Sequence, residues 1–274
     1  MKKNISKRKN RYKEIYEKSD KKTLTVYLTL RALVILCLIR ELMLGEYQNA
    51  LLCILSLILF LIPAFVEKTF KVDLPNTLEI TILIFIFSAE ILGEINNFYG
   101  IFKNFDDILH TITGFLAASV GFSLVYLLNQ KIDSFNLSPI FVTIVAFCFS
   151  MTIGVLWEFS EYSVDTLFNL DAQKDTYVNK INTVELDKTF SNKVVKIDGI
   201  DKTILYDKEG NELVTLNGYL DIGLIDTMED LTVNFIGAFV YSVFGYIYIT
   251  NKEKGKFASK FLIKKNNQNK QKCA

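Results

Sequence analysis

Long apolar runs recur along the chain, separated by polar stretches that are mostly short. A helix needs about 20 mostly apolar residues to cross the hydrocarbon core of a bilayer. Runs of about that length predict six membrane spans, with approximate limits at residues 24–43, 49–65, 78–95, 108–128, 140–167 and 231–250. The expected fold is therefore an all-α integral membrane protein, built as a six-span helical bundle.

One long polar segment, residues 169–225, departs from this pattern. It contains three short apolar runs separated by turn residues, at 194–197, 203–206 and 213–216. Such runs between turn signals are typical of a small β-hairpin or meander. Two roles stay open for this loop: a lid over a site in the membrane, or a decoration without function.

Basic residues are concentrated at the two ends of the chain. Residues 1–22 hold ten of the 31 Lys and Arg residues, and residues 251–274 hold eight more. Cytoplasmic segments of membrane proteins are enriched in Lys and Arg, so both termini are expected in the cytoplasm and the long loop on the extracytoplasmic side. The tails are expected to be solvated and to contact anionic lipid, and binding to nucleic acid is not expected.

These features divide the chain into five predicted parts. They are a basic cytoplasmic N-terminal tail (1–23), spans one to five (24–168), an extracytoplasmic loop with β-structure (169–225), span six (226–250) and a basic cytoplasmic C-terminal tail (251–274). None of the four cysteines lies in the loop and no CxxC spacing occurs. Neither a disulfide framework nor a zinc ribbon is therefore expected.

Three acidic residues follow the apolar part of the fifth span: Glu158, Glu161 and Asp165. At about 100° per residue, their spacings place them within roughly 60° of one another on a helix. Carboxylates on one stripe repel each other, and desolvation near a bilayer strengthens that repulsion. A cation, protons or a basic partner must offset the charge, unless the helix end projects into water and solvates the acids.

Two other spans begin with polar residues on one face. Asp106 and His110 lie one turn apart at the start of the fourth span, and the sixth begins with the row Asp226, Asp230 and Asn234. In the predicted orientation, all of these residues lie at the same membrane level as the fifth-span acids. The alternatives are a histidine packed in the core and acids that only stabilise a helix N-terminus.

Small residues continue both of these stripes. Gly114, Ala117 and Gly121 extend the first stripe, and Gly237 extends the second. Because residues without bulky side chains let helices approach closely, these faces are predicted to pack against neighbouring helices.

Three motifs in this order resemble a known family. They are Asp106-x-x-x-His110, Trp157-Glu158-x-x-Glu161-x-x-x-Asp165 and Asp226-Thr227-x-x-Asp230-x-x-x-Asn234-x-x-Gly237. The set resembles the YjdF-type bacterial membrane proteins and, more distantly, the VanZ-like membrane proteins. In the VanZ-like pattern a glutamine stands where this chain has Glu161, and the arginine that often follows in the fifth span is absent here. The resemblance implies the bacterial cytoplasmic membrane and a role in the cell envelope.

Eight residues form the predicted site, a polar pocket that opens outward: Asp106, His110, Glu158, Glu161, Asp165, Asp226, Asp230 and Asn234. Oxygen-rich ligands with a single imidazole suit Mg²⁺, Mn²⁺ or Ca²⁺ better than zinc. We therefore expect a divalent-cation site that also binds a lipid head group or an envelope precursor. Hydrolase or transferase chemistry at this site would use Glu158 or His110 as the general base.

Two other classes of function stay open. Buried carboxylates could act as relay groups in a proton- or cation-coupled transporter. The polar cluster could also only fix helix packing, in a non-catalytic scaffold. No Ser-His-Asp spacing, Gly-x-Ser-x-Gly, Walker or HExxH motif is present, so the sequence assigns no reaction.

Overall fold

The computed structural model describes residues 21–131, 137–252 and 254–265. Most of the predicted N-terminal tail and the last nine residues of the predicted C-terminal tail lie outside these ranges. The described residues form eight α-helices: α1 (Lys21–Leu44), α2 (Tyr47–Leu59), α3 (Ile62–Phe70), α4 (Asn76–Ile86), α5 (Phe98–Ile101), α6 (Phe105–Lys131), α7 (Pro139–Phe168) and α8 (Leu224–Thr250). A π-helix (Phe87–Ile95) continues α4, and a short 3₁₀-helix (Ala258–Lys260) follows α8.

Five segments in the described part of the chain are long and apolar enough to cross a membrane. They are α1, the pair α2–α3 (Tyr47–Phe70), α6, α7 and α8. The prediction of a mainly helical, multi-span membrane protein is therefore confirmed. The predicted third span, residues 78–95, is an α-helix that changes into a π-helix and is not among the five. The count of six spans stays a prediction.

Proline and glycine set several of the helix boundaries. Pro63 lies in the first turn of α3, where its missing N–H breaks no helical hydrogen bond. Pro139 opens α7 in the same way. Gly45 follows α1 with φ of 80°, a left-handed conformation that glycine adopts without a Cβ clash. These residues divide the apolar sequence into separate helices.

Short strands form antiparallel pairs among the described residues, and their presence agrees with the sequence prediction. The pairs are β1 (Val72–Asp73) with β8 (Lys264–Lys265), β2 (Tyr177–Val178) with β7 (Tyr219–Leu220), β3 (Lys180–Thr183) with β4 (Val195–Asp198), and β5 (Thr203–Tyr206) with β6 (Glu212–Leu216). The β5–β6 hairpin closes through a turn in which the Asp207 amide donates to the Asn211 carbonyl over 2.9 Å. Gly210 supplies the positive φ of 86° that this turn needs.

The chain divides into two compact units. The first, here called the helical unit, comprises Met1–Gly154 and Val233–Ala274. The second, here called the loop unit, is Val155–Thr232 and contains strands β2 to β7.

Two apolar clusters form the core of the helical unit. The larger one includes the rings of Phe122 and Tyr241, and the smaller one includes Val34, Phe60 and Leu83. The expectation of a solvated C-terminal tail is wrong for Phe261, Leu262 and Ile263, which are buried in the larger cluster. The pairing of β8 with β1 holds this short apolar run in place.

Glycines let the helices of this unit approach closely. A Cβ on Gly237 would overlap the carbonyl oxygen of Thr111, and one on Gly114 would overlap the carbonyl oxygen of Asn234. A Cβ on Gly121 would lie 2.8 Å from the side chain of Phe149. The predicted packing role of Gly114, Gly121 and Gly237 is thus confirmed.

Large apolar side chains also point away from these clusters. Leu36 on α1, together with Leu51 and Ile58 on α2, is well exposed. Large exposed apolar side chains in such numbers are unfavourable in water but favourable against lipid chains. The exposed faces therefore agree with embedding in a bilayer.

Candidate functional site

Three carboxylates converge in the loop unit. Glu158 and Glu161 lie near the end of α7, and Asp230 lies in the first part of α8. Each offers one oxygen atom such that all three atoms lie within 4.8 Å of one another. Glu158 is 5% exposed and Asp230 is 2% exposed, while Glu161 is half-buried. We call this group the carboxylate cluster.

The spacing along α7 explains why two members face the same way. Glu158 and Glu161 are three residues apart, so their side chains emerge on neighbouring positions of one helix face. Unit negative charges about 5 Å apart repel by about 3 kcal/mol at an effective dielectric constant of 20. A cluster of this kind requires positive charge or protons close by.

Neutral donors contact the cluster from two directions. The Trp157 indole Nε1–H donates to Glu161 Oε1 over 2.9 Å. The Gln173 amide Nε2 lies 3.5 Å from Glu158 Oε2 and donates to the Thr227 hydroxyl over 2.6 Å. Gln173 therefore links α7 to the first turn of α8 at the cluster. Such outer contacts orient carboxylates that bind metal.

Two other predicted site residues hold the backbone of the loop. The Asp165 carboxylate accepts hydrogen bonds from the backbone amides of Ala172 and Gln173, over 2.5 and 2.9 Å. The Asp226 carboxylate accepts from the backbone amide of Lys174 over 2.9 Å. These bonds fix the segment that presents the Gln173 side chain.

The remaining predicted site residues lie in the helical unit. The imidazole Nε2 of His110 is 3.6 Å from Asp106 Oδ1, as expected for residues one turn apart on α6. Asn234 is 1% exposed, and its Nδ2 lies 3.6 Å from Met151 Sδ. Gly154 makes room for this side chain, because a Cβ there would lie 2.6 Å from Asn234 Nδ2.

Each unit brings some of the predicted site residues together. The loop unit brings Glu158, Glu161 and Asp230 together, and the helical unit pairs Asp106 with His110. Sequence reasoning missed Gln173, which lies in a polar run that carries no motif. The only sequence signal for Thr227 was its position next to Asp226 in the third motif.

The fold and the apolar helices define an integral membrane protein. The chain belongs to the family described as "Predicted membrane protein (DUF2238)", whose model matches residues 23–251. This is the YjdF-type family that the motifs resemble, so that resemblance is confirmed. No curated protein and no solved structure matches the chain. The VanZ-like likeness stays a prediction.

Proposed function

We propose that the carboxylate cluster binds one divalent cation. The observation that carries the proposal is the approach of Glu158, Glu161 and Asp230 to within 4.8 Å, with two of the three carboxylates buried. An all-oxygen ligand set favours Mg²⁺, Mn²⁺ or Ca²⁺. A bound cation would offset the mutual repulsion of the carboxylates, which burial makes more costly.

The neighbouring residues would then act as supports for the ligands. Trp157 would orient Glu161, and Gln173 would orient Glu158 while bridging to Thr227. Asp165 and Asp226 would hold the backbone that carries Gln173. Asp106, His110 and Asn234 lie in the helical unit and are not part of the carboxylate cluster. Their role as metal ligands stays a prediction.

We further propose that the cation holds an anionic lipid head group or an envelope precursor. Divalent ions in proteins commonly bridge one or two carboxylates to a phosphate oxygen. An integral membrane protein has phosphate-bearing lipids at hand at both surfaces of the bilayer. If the site is catalytic, the bound cation would supply Lewis-acid activation of a water, Glu158 or His110 would serve as the general base, and the predicted chemistry is hydrolysis or group transfer.

A cation-coupled transporter is the second candidate, and one feature favours it. The span Tyr47–Phe70 is interrupted, because α2 ends at Leu59 and α3 restarts at Ile62. Interrupted spans are common in transporters, where the helix ends contact ions or substrate. Transport would be detected as cation uptake into proteoliposomes, whereas a head-group site would bind the ion without moving it.

Thermal unfolding of the full chain in detergent tests the cation proposal. An ion at 100 times its Kd should stabilise the folded state by about 2.7 kcal/mol, which corresponds to a rise in Tm of roughly 5–10 °C. The double variant Glu158→Gln/Glu161→Gln should lose this response. Glu229→Gln is the matched control, because Glu229 is an exposed acid next to Asp230 and should keep it.

The scaffold alternative predicts a different outcome. The double variant would then be as stable as the parent or more stable, because repulsion is removed, and neither protein would respond to cations.

A further inference from the structure

An exposed aromatic residue lies in the turn that joins β3 to β4. This turn comprises residues 184–194 of the loop unit, and the pairing of Thr183 with Val195 closes it. Phe190 is 96% exposed, the highest value for a large apolar side chain among the described residues. Its side chain therefore adds little to the packing of this unit.

The turn holds Phe190 in a fixed conformation. The buried Asp187 carboxylate accepts hydrogen bonds from the backbone amides of Thr189, Ser191 and Lys193, over 3.0, 3.0 and 2.9 Å. It also accepts from the Thr189 hydroxyl over 2.5 Å. Phe190 itself has φ of 53°, which a bulky residue rarely adopts. The chain thus uses one buried carboxylate to present an aromatic ring in water.

Other exposed apolar residues and lysines lie in the same turn as Phe190. Val184, Leu186 and Val194 are exposed large apolar residues in the same turn. Lys188 and Lys193 are exposed beside them, and Lys196 follows on β4. The one exposed acid within the turn is Glu185. Aromatic and aliphatic side chains next to lysines are typical of segments that bind the interface of an anionic membrane.

The chain also restricts which surface is available to this turn. It enters the loop unit through α7 and leaves through α8, both long enough to span a membrane. The turn is therefore tethered at both ends to a bilayer, whose interface offers an apolar layer beneath negatively charged head groups.

We propose that residues 184–194 form a membrane-binding turn. Phe190, with Leu186 and Val194, inserts into the interface of the bilayer, and Lys188 and Lys193 contact the phosphates of anionic lipids. The Asp187 hydrogen bonds preorganise the turn, so little conformational entropy is lost on insertion. This proposal is independent of the cation site.

Quenching by brominated lipid tests the insertion directly. Trp157 is the single tryptophan of the chain, so a Trp157→Phe background leaves a new tryptophan as the only one. This background removes the hydrogen bond to Glu161 in the test variant and in the control alike. In that background Phe190→Trp should show blue-shifted emission, with loss of intensity in vesicles of brominated lipid that contain phosphatidylglycerol. Tyr206→Trp is the control, because Tyr206 is an exposed aromatic on β5 outside the turn. Its emission should stay red-shifted and unquenched.

Two outcomes would overturn the proposal. One is red-shifted, unquenched emission from Phe190→Trp in anionic vesicles. The other is an emission change that follows protein density but not bromination, which would indicate contact with a second copy of the chain.

Trypsin cleavage of the unmodified protein provides a test that needs no variant. Cleavage after Lys188 and Lys193 should be slower in vesicles with phosphatidylglycerol than in purely zwitterionic vesicles. Cleavage after Lys208, an exposed lysine in the β5–β6 turn, should be equal in both. If each of the three lysines is cleaved at the same rate in both kinds of vesicle, the proposal is contradicted.

Discussion

The helical unit and the loop unit bury different chemical groups. In the helical unit the largest fully buried side chains are mainly apolar, with Tyr241, Phe60 and Phe122 first. The structure describes every residue of 155–232, and no apolar side chain there is fully buried. The buried side chains of the loop unit are instead the carboxylates of Glu158, Asp187 and Asp230.

This difference shows that the two units are stabilised in different ways. Close packing of helices around glycines stabilises the helical unit. In the loop unit, carboxylates accept hydrogen bonds from backbone amides, as Asp165, Asp187, Asp221 and Asp226 do. The helical unit should therefore respond to changes of side-chain volume, and the loop unit to changes of charge.

The greatest loss of stability is expected from a larger side chain at a close helix contact in the helical unit. Gly237→Val would place side-chain atoms against the Thr111 carbonyl, so α6 and α8 must separate and the protein should lose about 3 kcal/mol of stability. Thermal unfolding in detergent measures this loss. Val240→Ala on the same helix is the control, because Val240 is exposed and should have little effect. A Gly237→Val protein as stable as the parent would contradict the claim that close helix packing stabilises the helical unit.

Acid should act first on the loop unit. Hydrogen bonds from the Thr189 hydroxyl and from the Lys193 and Thr189 amides hold the pKa of Asp187 well below its usual range. The Asn211 side chain and amide likewise lower the pKa of Asp207. A depressed pKa contributes stability above the unfolded-state value of about 3.9, and this contribution is lost as pH falls through the folded-state value.

We therefore expect the amides of Thr189, Ser191 and Lys193 to lose protection at acid pH before the helices unfold. Hydrogen exchange, corrected for its intrinsic pH dependence, measures the protection of these amides. Circular dichroism measures the unfolding of the helices. Asp187→Asn should remove the same protection at neutral pH, whereas Asp201→Asn, at an exposed carboxylate, should not. Unchanged protection in Asp187→Asn would show that the carboxylate is not what holds the turn.

The smallest expected effect concerns a buried hydroxyl in the helical unit. The Ser242 hydroxyl is buried without a hydrogen-bond partner among the described residues, beside a groove of about 300 Å³ between α7 and α8. Ser242→Ala should therefore leave stability unchanged or raise it by about 1 kcal/mol. Thr143→Val, in the same groove, is the control. It removes a hydroxyl that donates to the Pro139 carbonyl over 2.8 Å, so this variant should not be more stable than the parent. A clear loss on Ser242→Ala would mean that the hydroxyl has a partner.

The five long apolar helices and the close helix contacts were predictable because they follow from local patterns. Apolar length alone indicates a span, and Gly114 and Gly237 continue polar stripes at helical spacing. The π-helix Phe87–Ile95 was not predictable in this way, because its register depends on tertiary packing, such as that of Gly93 against the Tyr99 ring. The burial of Phe261 to Ile263 was also missed, since three apolar residues among lysines form too short a pattern.

In the candidate site, too, local spacing was predictable from the sequence and contacts between distant residues were not. The spacing of Glu158 and Glu161 places them on one helix face, and this follows from the sequence. The contact of Gln173 with Thr227 joins residues 54 positions apart in the chain, and no local pattern indicates it. The backbone bonds of Asp165 and Asp226 depend on the same closure of the loop.

The metal content of the purified full chain shows whether the carboxylate cluster binds a cation. After equilibration with Mg²⁺, Mn²⁺ or Ca²⁺ and removal of free ion, we expect one bound cation per chain. Asp230→Asn should lose that ion and the exposed-acid control Glu229→Gln should retain it. Absence of bound ion in the folded parent with all three cations, or full retention by Asp230→Asn, would contradict the carboxylate cluster as a cation site.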